Sequence, residues 1–261
     1  AHVWDQERLR IVELTEIHRQ RDDEFKRMLN AVRHGQVTPE IGRALNEAGA
    51  RPAPGGDIIT LATRNDAVAR INSAALAQLA GETKVAAANV DGDFPAGWFP
   101  ADEELKLKIG AQVMFLRNDS DGRWVNGTVG HVTRIGKTVH VDVDGEEHEV
   151  LPAVWERHRY DYDPDTKTIE REVIAEFTQF PLRLAWAVTI HKAQGQTYDR
   201  ALIDMGSRAF APGQTYVALS RITSLEGLYL SRPLRPSDVI VDPDVERFMG
   251  RVESLGQPLE G

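Results

Sequence analysis

The sequence predicts an α/β protein whose mostly parallel sheet, with helices on both faces, is interrupted by a small antiparallel barrel. Short apolar strands that end in polar corners, followed by segments of helical periodicity, predict the α/β part. Between Leu105 and Phe180 the segments are short and strand-like, and turns such as Asp144-Gly145 separate them, which predicts the barrel. The α/β pattern resumes at Leu184, so the barrel is an insertion.

Composition limits the classes of function. The 261 residues suffice for one large domain or two small ones, and 41% hydrophobic with 27% charged residues is typical of a globular protein. No apolar run approaches membrane-spanning length, so no membrane partner is expected. Without cysteine, and with eight histidines at no metal-ligand spacing, no metal site is expected. The net charge of −9 argues weakly against nucleic acid, but the charge around a groove matters more than the total.

The start of the chain predicts a strand and two helices. Leu9–Leu14 is apolar enough for a core strand, and the helix that follows begins near Asp22 and stops at Gly35. Thr38 and Pro39 predict the N-cap and first turn of a second, short helix. The apolar face of the first helix is expected to consist of Phe25, Met28, Leu29 and Val32.

A second strand-to-helix unit follows. The strand is predicted over Asp57–Ala62, and a helix with one apolar face ends at Gly81. Between them lies a polar corner formed by Thr63, Arg64 and Asn65.

The last part of the chain returns to strands and helices. The apolar run Leu184–Val188 predicts a buried strand that ends in polar residues and flexible backbone, as ligand-binding edges of α/β folds do. Further strands are predicted at Arg200–Met205 and Leu225–Leu230, with a helix at Gln214–Arg221. The tail from Ser231 is rich in proline and aspartate and is expected to be a surface arm.

Four stretches carry a resemblance to a known family. In chain order they are LTEIHRQ (14–20), TRNDAVARIN (63–72), VTIHKAQGQT (188–197) and YVALSR (216–221). Their order and spacing resemble the C-terminal half of superfamily 1 DNA helicases, in the RecD-like and Pif-like branch that moves 5′ to 3′. The barrel falls where this branch inserts an SH3-like domain. One such motif is a weak signal, whereas four in order with the insertion in place are specific.

The resemblance implies a fold and a division into domains. The parallel sheet is expected to be RecA-like, of the P-loop NTPase type, in the second RecA-like domain of a helicase. Its first segment is expected over residues 1–104, the inserted SH3-like barrel over 105–180, and its second segment with a C-terminal arm over 181–261.

The sequence also lacks features that the family requires. It contains no phosphate-binding loop GxxxxGK[ST] and no strand that ends in the paired carboxylates that hold magnesium. In the family both belong to the first RecA-like domain, and the chain starts at Ala1 without an initiator methionine, so we expect a fragment. ATP and Mg²⁺ are then cofactors of the complete enzyme, with Mg²⁺ held by the missing domain. Neither is expected to be bound by this chain alone.

The resemblance assigns Arg221 and Arg19 to catalysis. In such enzymes ATP lies between two RecA-like domains, and arginines of the second domain meet the charge that develops on the γ-phosphate. A guanidinium suits this role because it is planar, always charged and able to donate two parallel hydrogen bonds. On the residues alone, Arg221 is an ordinary cation near a helix C-terminus and Arg19 a surface charge.

Nucleotide contacts are also implied by the resemblance. Gly195 suits a backbone with positive φ or close approach, or equally a simple turn. Thr197 stands where some superfamily 1 enzymes carry a glutamate, and this departure weakens the case for a ribose contact. The implied nucleotide-binding residues are Gln20, Gln194, Gly195 and Gln196.

Contacts with single-stranded DNA are implied on the sheet and on the barrel. Hydroxyl groups at strand ends and a lysine can bond phosphates without reading sequence. Without the resemblance, His191 is rather a capping or core-edge histidine, and Lys192 a solvated charge. In the barrel, Trp155 and Tyr160 are expected in the core. The barrel tip around Arg123 and Trp124 is the candidate for DNA contact. The implied DNA-binding residues are Thr63, Arg64, Asn65, Thr189, His191, Lys192, Arg123 and Trp124.

The resemblance therefore implies the C-terminal part of an ATP-dependent DNA helicase that translocates on single-stranded DNA and unwinds duplex. Expected partners are single-stranded DNA, duplex junctions and the N-terminal RecA-like domain of the same protein, which is expected to be a monomer. The expected location is the cytoplasm, at the nucleoid, in a bacterium, and the nucleus or mitochondrion in a eukaryote. The alternative is a stand-alone nucleic-acid-binding or protein-interaction module without catalysis.

Overall fold

The computed structural model describes residues 19–20, 22–56, 58–163 and 167–254. These residues divide into two compact units, one formed by the described residues up to 68 and from 188 onward, the other by the described part of 69–187. The strand predicted at Leu9–Leu14 lies outside the described residues.

Helices and strands alternate toward both ends of the described chain, whereas strands dominate its middle. In chain order the elements are α1 (Asp23–Arg33), α2 (Pro39–Gly49), β1 (Ile59–Ala62), α3 (Asn65–Gln78), β2 (Lys84–Ala87), β3 (Asn89–Gly92), β4 (Glu104–Leu107), β5 (Gln112–Phe115), β6 (Val129–Ile135), β7 (Val139–Val143), β8 (Glu146–Val150), β9 (Ala153–Asp163), β10 (Thr168–Gln179), β11 (Leu182–Leu184), β12 (Ala187–Thr189), β13 (Ala201–Asp204), α4 (Gln214–Leu219), β14 (Leu228–Leu230) and α5 (Pro243–Ser254). Short 3₁₀ turns lie at Ala96–Trp98, Leu225–Gly227 and Pro236–Asp238.

A four-stranded sheet organises the first unit, in the order β12, β1, β13, β14. β1 and β13 are parallel with Ile59 opposite Ala201, and β13 and β14 are parallel with Ala201 opposite Leu228. All four residues of β1 are buried, as expected of a strand covered on both faces. Of the five strands expected in one mostly parallel sheet, those of Ile59, Val188, Ile203 and Leu228 are confirmed there, and that of Leu14 lies outside the described residues.

The first two helices begin where the sequence predicted. The Asp22 carboxylate accepts a hydrogen bond from the Glu24 N–H at 2.8 Å and caps α1. The Thr38 hydroxyl accepts from the Ile41 N–H and caps α2. The predicted apolar face of α1 is buried, and each such side chain contributes roughly 1.5–3 kcal/mol to stability. It consists of Phe25, Met28, Leu29 and Val32.

The second unit contains a five-stranded antiparallel sheet in the order β11, β5, β6, β7, β8. Its core is apolar and includes Leu105, Phe115 and Leu182, all fully buried. Trp124 belongs to this core: it is 7% exposed, and its ring stacks on Phe115 with 4.4 Å between ring centroids. The sequence made Trp124 part of a tip that contacts DNA, whereas the structure places its large indole in the core.

A long hairpin of β9 and β10 extends the second unit. β3 pairs with β10 only along residues 175–178, so the rest of the hairpin is two strands wide. Trp155 is half-buried and packs edge-on against Phe177, with 6.0 Å between ring centroids. Tyr160 is 63% exposed, so its expected place in the core is wrong. It lies where the hairpin has no third strand.

The apolar run Leu184–Val188 does not form one strand. Leu184 ends β11 in the antiparallel sheet, and Ala187 begins β12 in the parallel sheet. The buried Asn72 fixes the start of β12, because its Oδ1 accepts from the Ala187 N–H at 2.8 Å and its Nδ2 donates to the Ala187 carbonyl at 3.0 Å. The hydrophobic pattern alone cannot show which sheet each half joins.

The tail from Ser231 was expected to be a surface arm, but it contains a partly buried ion pair and a helix. Asp238 is fully buried and accepts hydrogen bonds from the Arg232 guanidinium at 2.8 and 2.9 Å. Beyond it, α5 begins at Pro243, whose fixed φ suits the first turn of a helix. In the part of the chain described, no helix is long and apolar enough to cross a membrane.

Candidate functional site

The residues just before α1 and just after α4 meet at one backbone segment. Gln20 is 2% exposed, and its Nε2 donates to the carbonyl oxygens of Ser220 at 3.1 Å and Ile222 at 2.8 Å. Arg19 donates from a terminal nitrogen to the Ser220 carbonyl at 2.9 Å and from Nε to the Thr197 hydroxyl at 2.8 Å. α1 packs against α4, which holds this junction together.

Arg221 lies directly beside this junction. It is 8% exposed, and its Nε donates to the Val217 carbonyl at 3.0 Å. Its terminal nitrogens donate to the Gln196 carbonyl at 3.2 Å and the Ser220 hydroxyl at 2.8 Å. The guanidinium thus caps the C-terminal end of α4 and ties it to the turn after β12. It fills the helix-end role that the residues alone suggested, and it does so next to a second arginine.

The two arginines form a positively charged cluster. Every acceptor that Arg19 and Arg221 contact among the described residues is a neutral carbonyl or hydroxyl. Burial lowers the pKa of Arg221, and the charge of Arg19 lowers it further. Burial also raises the pKa of the neighbouring Tyr198 to about 12, so this side chain stays neutral. Two cations with neutral partners fit an anion such as a phosphate, because charged acceptors bond guanidinium groups more strongly.

The turn after β12 carries the other predicted nucleotide residues. Gly195 has φ of 88°, in the left-handed region, and an added Cβ would meet nothing within 4 Å. Backbone conformation rather than crowding therefore favours glycine here. Gln194 is exposed, whereas the carbonyl of Gln196 and the amide nitrogen of Gln20 are engaged within the protein. The nucleotide contacts of these four residues remain predictions.

A second candidate site lies at the ends of β1 and β12. The Ile190 N–H donates to the Ala62 carbonyl at 2.9 Å, so the polar residues that follow the two strands lie side by side. They form an open groove of about 700 Å³. The groove brings together all six residues near the sheet that the resemblance assigned to DNA binding, while their contact with DNA remains a prediction. The groove is lined by Thr63, Arg64, Asn65, Asp66, Thr189, His191, Lys192 and Phe210.

The groove residues differ in their exposure to solvent. Thr63 and Thr189 are buried, and the Thr189 hydroxyl accepts from the Lys192 N–H at 3.4 Å, which shapes the turn. His191 and Lys192 are exposed. Arg64 is exposed and forms an ion pair with Asp66 at 3.3 Å. The groove therefore presents cations at its surface and hydroxyl groups at its base.

Two groove residues were missed from the sequence. Asp66 lies in the first turn of α3, and its pKa is lowered by the hydrogen bond from the Ala67 N–H and by Arg64. An acidic residue in a first helical turn is ordinary, so nothing marked it as part of a groove. Phe210 is 56% exposed. The sequence feature that could have marked Phe210 is an aromatic residue in the turn-forming segment just before YVALSR.

The barrel tip is structured by an ion pair. Arg123 bonds the Asp119 carboxylate through two nitrogens at 2.7 and 2.8 Å. The same guanidinium lies over the Trp124 ring, 4.6 Å from its centroid. The Arg123 hydrogen bonds lower the pKa of Asp119 to about 2. The predicted cation at this tip thus has a carboxylate partner, and the predicted aromatic is in the core.

The described residues offer no metal site. No three of their His, Cys, Asp or Glu side chains are grouped so that they could hold a metal ion.

Two helicases and one family profile illustrate which known proteins this chain is similar to. The chain is 36% identical over 262 residues to the ATP-dependent DNA helicase Pif1 of Bdellovibrio bacteriovorus, across 97% of the chain and 57% of that protein. It is 35% identical over 264 residues to the ATP-dependent DNA helicase PIF1 of Homo sapiens, across 95% of the chain and 39% of that protein. A family profile described as DNA helicase Pif1, 2B domain, matches residues 98–135.

Solved structures agree with these relatives. The crystal structure of Bacteroides sp Pif1 in complex with ADP-AlF4 superimposes with a TM-score of 0.84 at 35% identity, over 98% of this chain and 60% of that one. Bacteroides Pif1 bound to ssDNA gives a TM-score of 0.73 at 35% identity, over 97% and 59%.

These relatives belong to the class of ATP-dependent DNA helicases. The chain covers only part of their length, 57% of the bacterial relative and 39% of the human one. Within that class the relation is specific. The chain is related to the C-terminal part of Pif1-like superfamily 1 helicases, which confirms the resemblance drawn from its four motifs.

Proposed function

We propose that this chain is the C-terminal part of an ATP-dependent DNA helicase that translocates 5′ to 3′ on single-stranded DNA and unwinds duplex. The observation that carries the proposal is the convergence of Arg19 and Arg221 on Ser220, with only neutral acceptors among the described residues. It is supported by the names of the relatives, which are ATP-dependent DNA helicases, and by the titles of similar structures with ADP-AlF4 or ssDNA.

Arg221 and Arg19 act on the nucleotide in this proposal. ATP is the substrate whose hydrolysis drives movement, and charge develops on its γ-phosphate during the reaction. An arginine that meets this charge is worth roughly 10³–10⁵ in rate in related phosphoryl-transfer enzymes. Arg221 would exchange its three neutral acceptors for phosphate oxygens, which is favourable because an ionised acceptor attracts a guanidinium more strongly than a neutral one does. Gln20, Gln194, Gly195 and Gln196 would support the same nucleotide.

The groove at the ends of β1 and β12 holds the DNA strand in this proposal. Lys192 and Arg64 supply cations for the phosphates, and His191, Asn65 and the threonine hydroxyls add hydrogen bonds that carry no sequence preference. Arg123 on the other unit is a further phosphate contact only if it exchanges its bond to Asp119 for one to DNA.

The proposal also assigns domains and partners. Residues 1–104 and 181–261 would form the second RecA-like domain, and residues 105–180 an inserted SH3-like barrel. The five-stranded antiparallel sheet supports the barrel. The phosphate-binding loop and the Mg²⁺ carboxylates, which this sequence lacks, would belong to a first RecA-like domain of the same, monomeric protein. The DNA would be that of the nucleoid in a bacterium, or of the nucleus or mitochondrion in a eukaryote.

The test is strand separation by the intact protein that contains this chain. We expect ATP-dependent unwinding of a duplex with a 5′ single-stranded tail, little unwinding with a 3′ tail, and none with a non-hydrolysable ATP analogue. The 261-residue chain alone should bind single-stranded DNA but hydrolyse no ATP above background. Single-strand binding by the intact protein without any DNA-stimulated ATPase would instead favour a binding module without catalysis.

A further inference from the structure

Phe210 is an exposed aromatic side chain inside the groove. It is 56% exposed and lines the groove together with Thr189, His191 and Lys192. A single exposed apolar residue is common on protein surfaces and needs no explanation. Phe210 differs because its neighbours in the groove are polar or charged, and because its backbone is fixed.

Buried acceptors hold the backbone at Phe210 and at the residue before it. The Phe210 N–H donates to Oε1 of Gln214 at 3.2 Å, and Gln214 is buried in the first turn of α4. The preceding Ala209 N–H donates to Oδ1 of Asp238 at 3.1 Å. Asp238 is fully buried and is held in turn by Arg232. The loop therefore presents the ring from an anchored backbone, and little further ordering is needed when the ring binds a ligand.

We propose that Phe210 stacks on a base of the single strand whose phosphates contact the cations of the groove. This inference rests on the proposed function and deepens it, since it adds a base contact to a site so far described by phosphate contacts. The groove combines cations with one flat apolar face. A ligand that matches both is anionic and carries exposed aromatic rings, which describes single-stranded nucleic acid. In a duplex the base faces are covered by their neighbours, so the ring also provides a preference for single strands.

The first experiment separates stacking from charge. Binding of a fluorescent single-stranded oligonucleotide to the intact protein is measured by anisotropy at several salt concentrations. Phe210→Ala should weaken binding about 5- to 150-fold with an unchanged slope of log K against log salt, because no charge is removed. Phe210→Trp should bind at least as well as the wild type. Val245→Ala, which truncates an exposed apolar residue of α5 outside the groove, should bind normally.

The second experiment identifies the base. One abasic site is moved along the oligonucleotide, and the wild type should lose affinity at one position while Phe210→Ala is indifferent there. Equal affinities of Phe210→Ala and wild type, or the same abasic profile for both, would overturn the proposal. Phe210→Leu keeps an apolar side chain and serves if the alanine variant unfolds. Failure of the wild type to bind any single strand would instead remove the proposed function itself, with this inference.

Discussion

Arg19 and Arg221 donate to the same residue: Arg19 to the carbonyl oxygen of Ser220 at 2.9 Å, and Arg221 to its hydroxyl at 2.8 Å. One arginine lies before α1 and the other after α4, so the packing of these helices brings the two charges together. The proximity of Arg19 lowers the pKa of Arg221 after burial has already lowered it. An anion placed between them would relieve this repulsion.

Arg221→Ala should lower kcat for ATP hydrolysis about a hundredfold or more, with a much smaller change in nucleotide affinity. The reason is that a group acting on transition-state charge contributes little to ground-state binding. Arg221→Lys should rescue poorly, because an ammonium cannot reproduce the planar guanidinium. The measurement is steady-state ATPase of the intact protein with saturating single-stranded DNA, paired with nucleotide titration.

The control for charge removal is Arg27→Ala, an exposed arginine of α1. Thermal unfolding must accompany the assay, because Arg221 also caps α4 through the Val217 carbonyl. A near-normal kcat in Arg221→Ala would return Arg221 to its structural role at a helix end.

The shared contact with Ser220 also predicts that the two arginines are coupled. If Arg19 and Arg221 act on one phosphate, the double alanine variant should lose less activity than the product of the two single losses. ATPase rates of the wild type, both single variants and the double variant complete this cycle. Losses that multiply fully would show that the two side chains act independently.

The polar ends of the strands were predictable, because alternation, turn residues and strand ends are local features. Thr63 follows β1 and Thr189 ends β12, and parallel strands place such ends at one edge of the sheet. The caps at Asp22 and Thr38 were predictable for the same reason, since each acts within two or three residues.

Features that depend on long-range packing were not predictable. Trp124 and Tyr160 look alike in the sequence, as aromatics next to arginines. The first is buried against Phe115, and the second is exposed on a two-stranded hairpin. Phe210 was missed because its anchors, Gln214 and Asp238, act across a folded loop.

Lys192→Ala should weaken single-strand binding and reduce the salt slope by about one unit or less. A lysine that contacts a phosphate releases roughly one counterion, and its loss acts on every sequence alike. Binding of oligonucleotides of different sequence is measured from low to moderate salt. Lys26→Ala, a lysine of α1 outside the groove, is the matched control. An unchanged slope would remove Lys192 from the phosphate contacts.

Asp238→Ala should destabilise the protein by about 3–5 kcal/mol, because the Arg232 guanidinium would lose its buried partner. The loop of Phe210 should loosen at the same time, since the Ala209 N–H loses its acceptor. Chemical denaturation measures the first effect, and hydrogen exchange at Ala209 and Phe210 the second. Full protection of both amides in a destabilised variant would contradict the anchoring role of Asp238.

Asp119 predicts a specific pH dependence of stability. Its pKa is about 2 in the folded protein, because Arg123 and backbone N–H groups bond its carboxylate, against about 3.9 in an unfolded chain. A pKa lowered by folding contributes stability that is fully present above pH 3.9 and is lost as the pH falls toward 2. Asp119→Asn should therefore reduce the free energy of unfolding by a constant amount from pH 7 to about 5. This difference from the wild type should shrink below pH 4, as the wild-type carboxylate becomes protonated in the unfolded state.

Urea denaturation of both proteins at each pH measures this difference, with Asp91→Asn, an exposed residue of β3, as the control. A difference that stays constant down to pH 3 would show that the ionised carboxylate does not supply the stability of the tip.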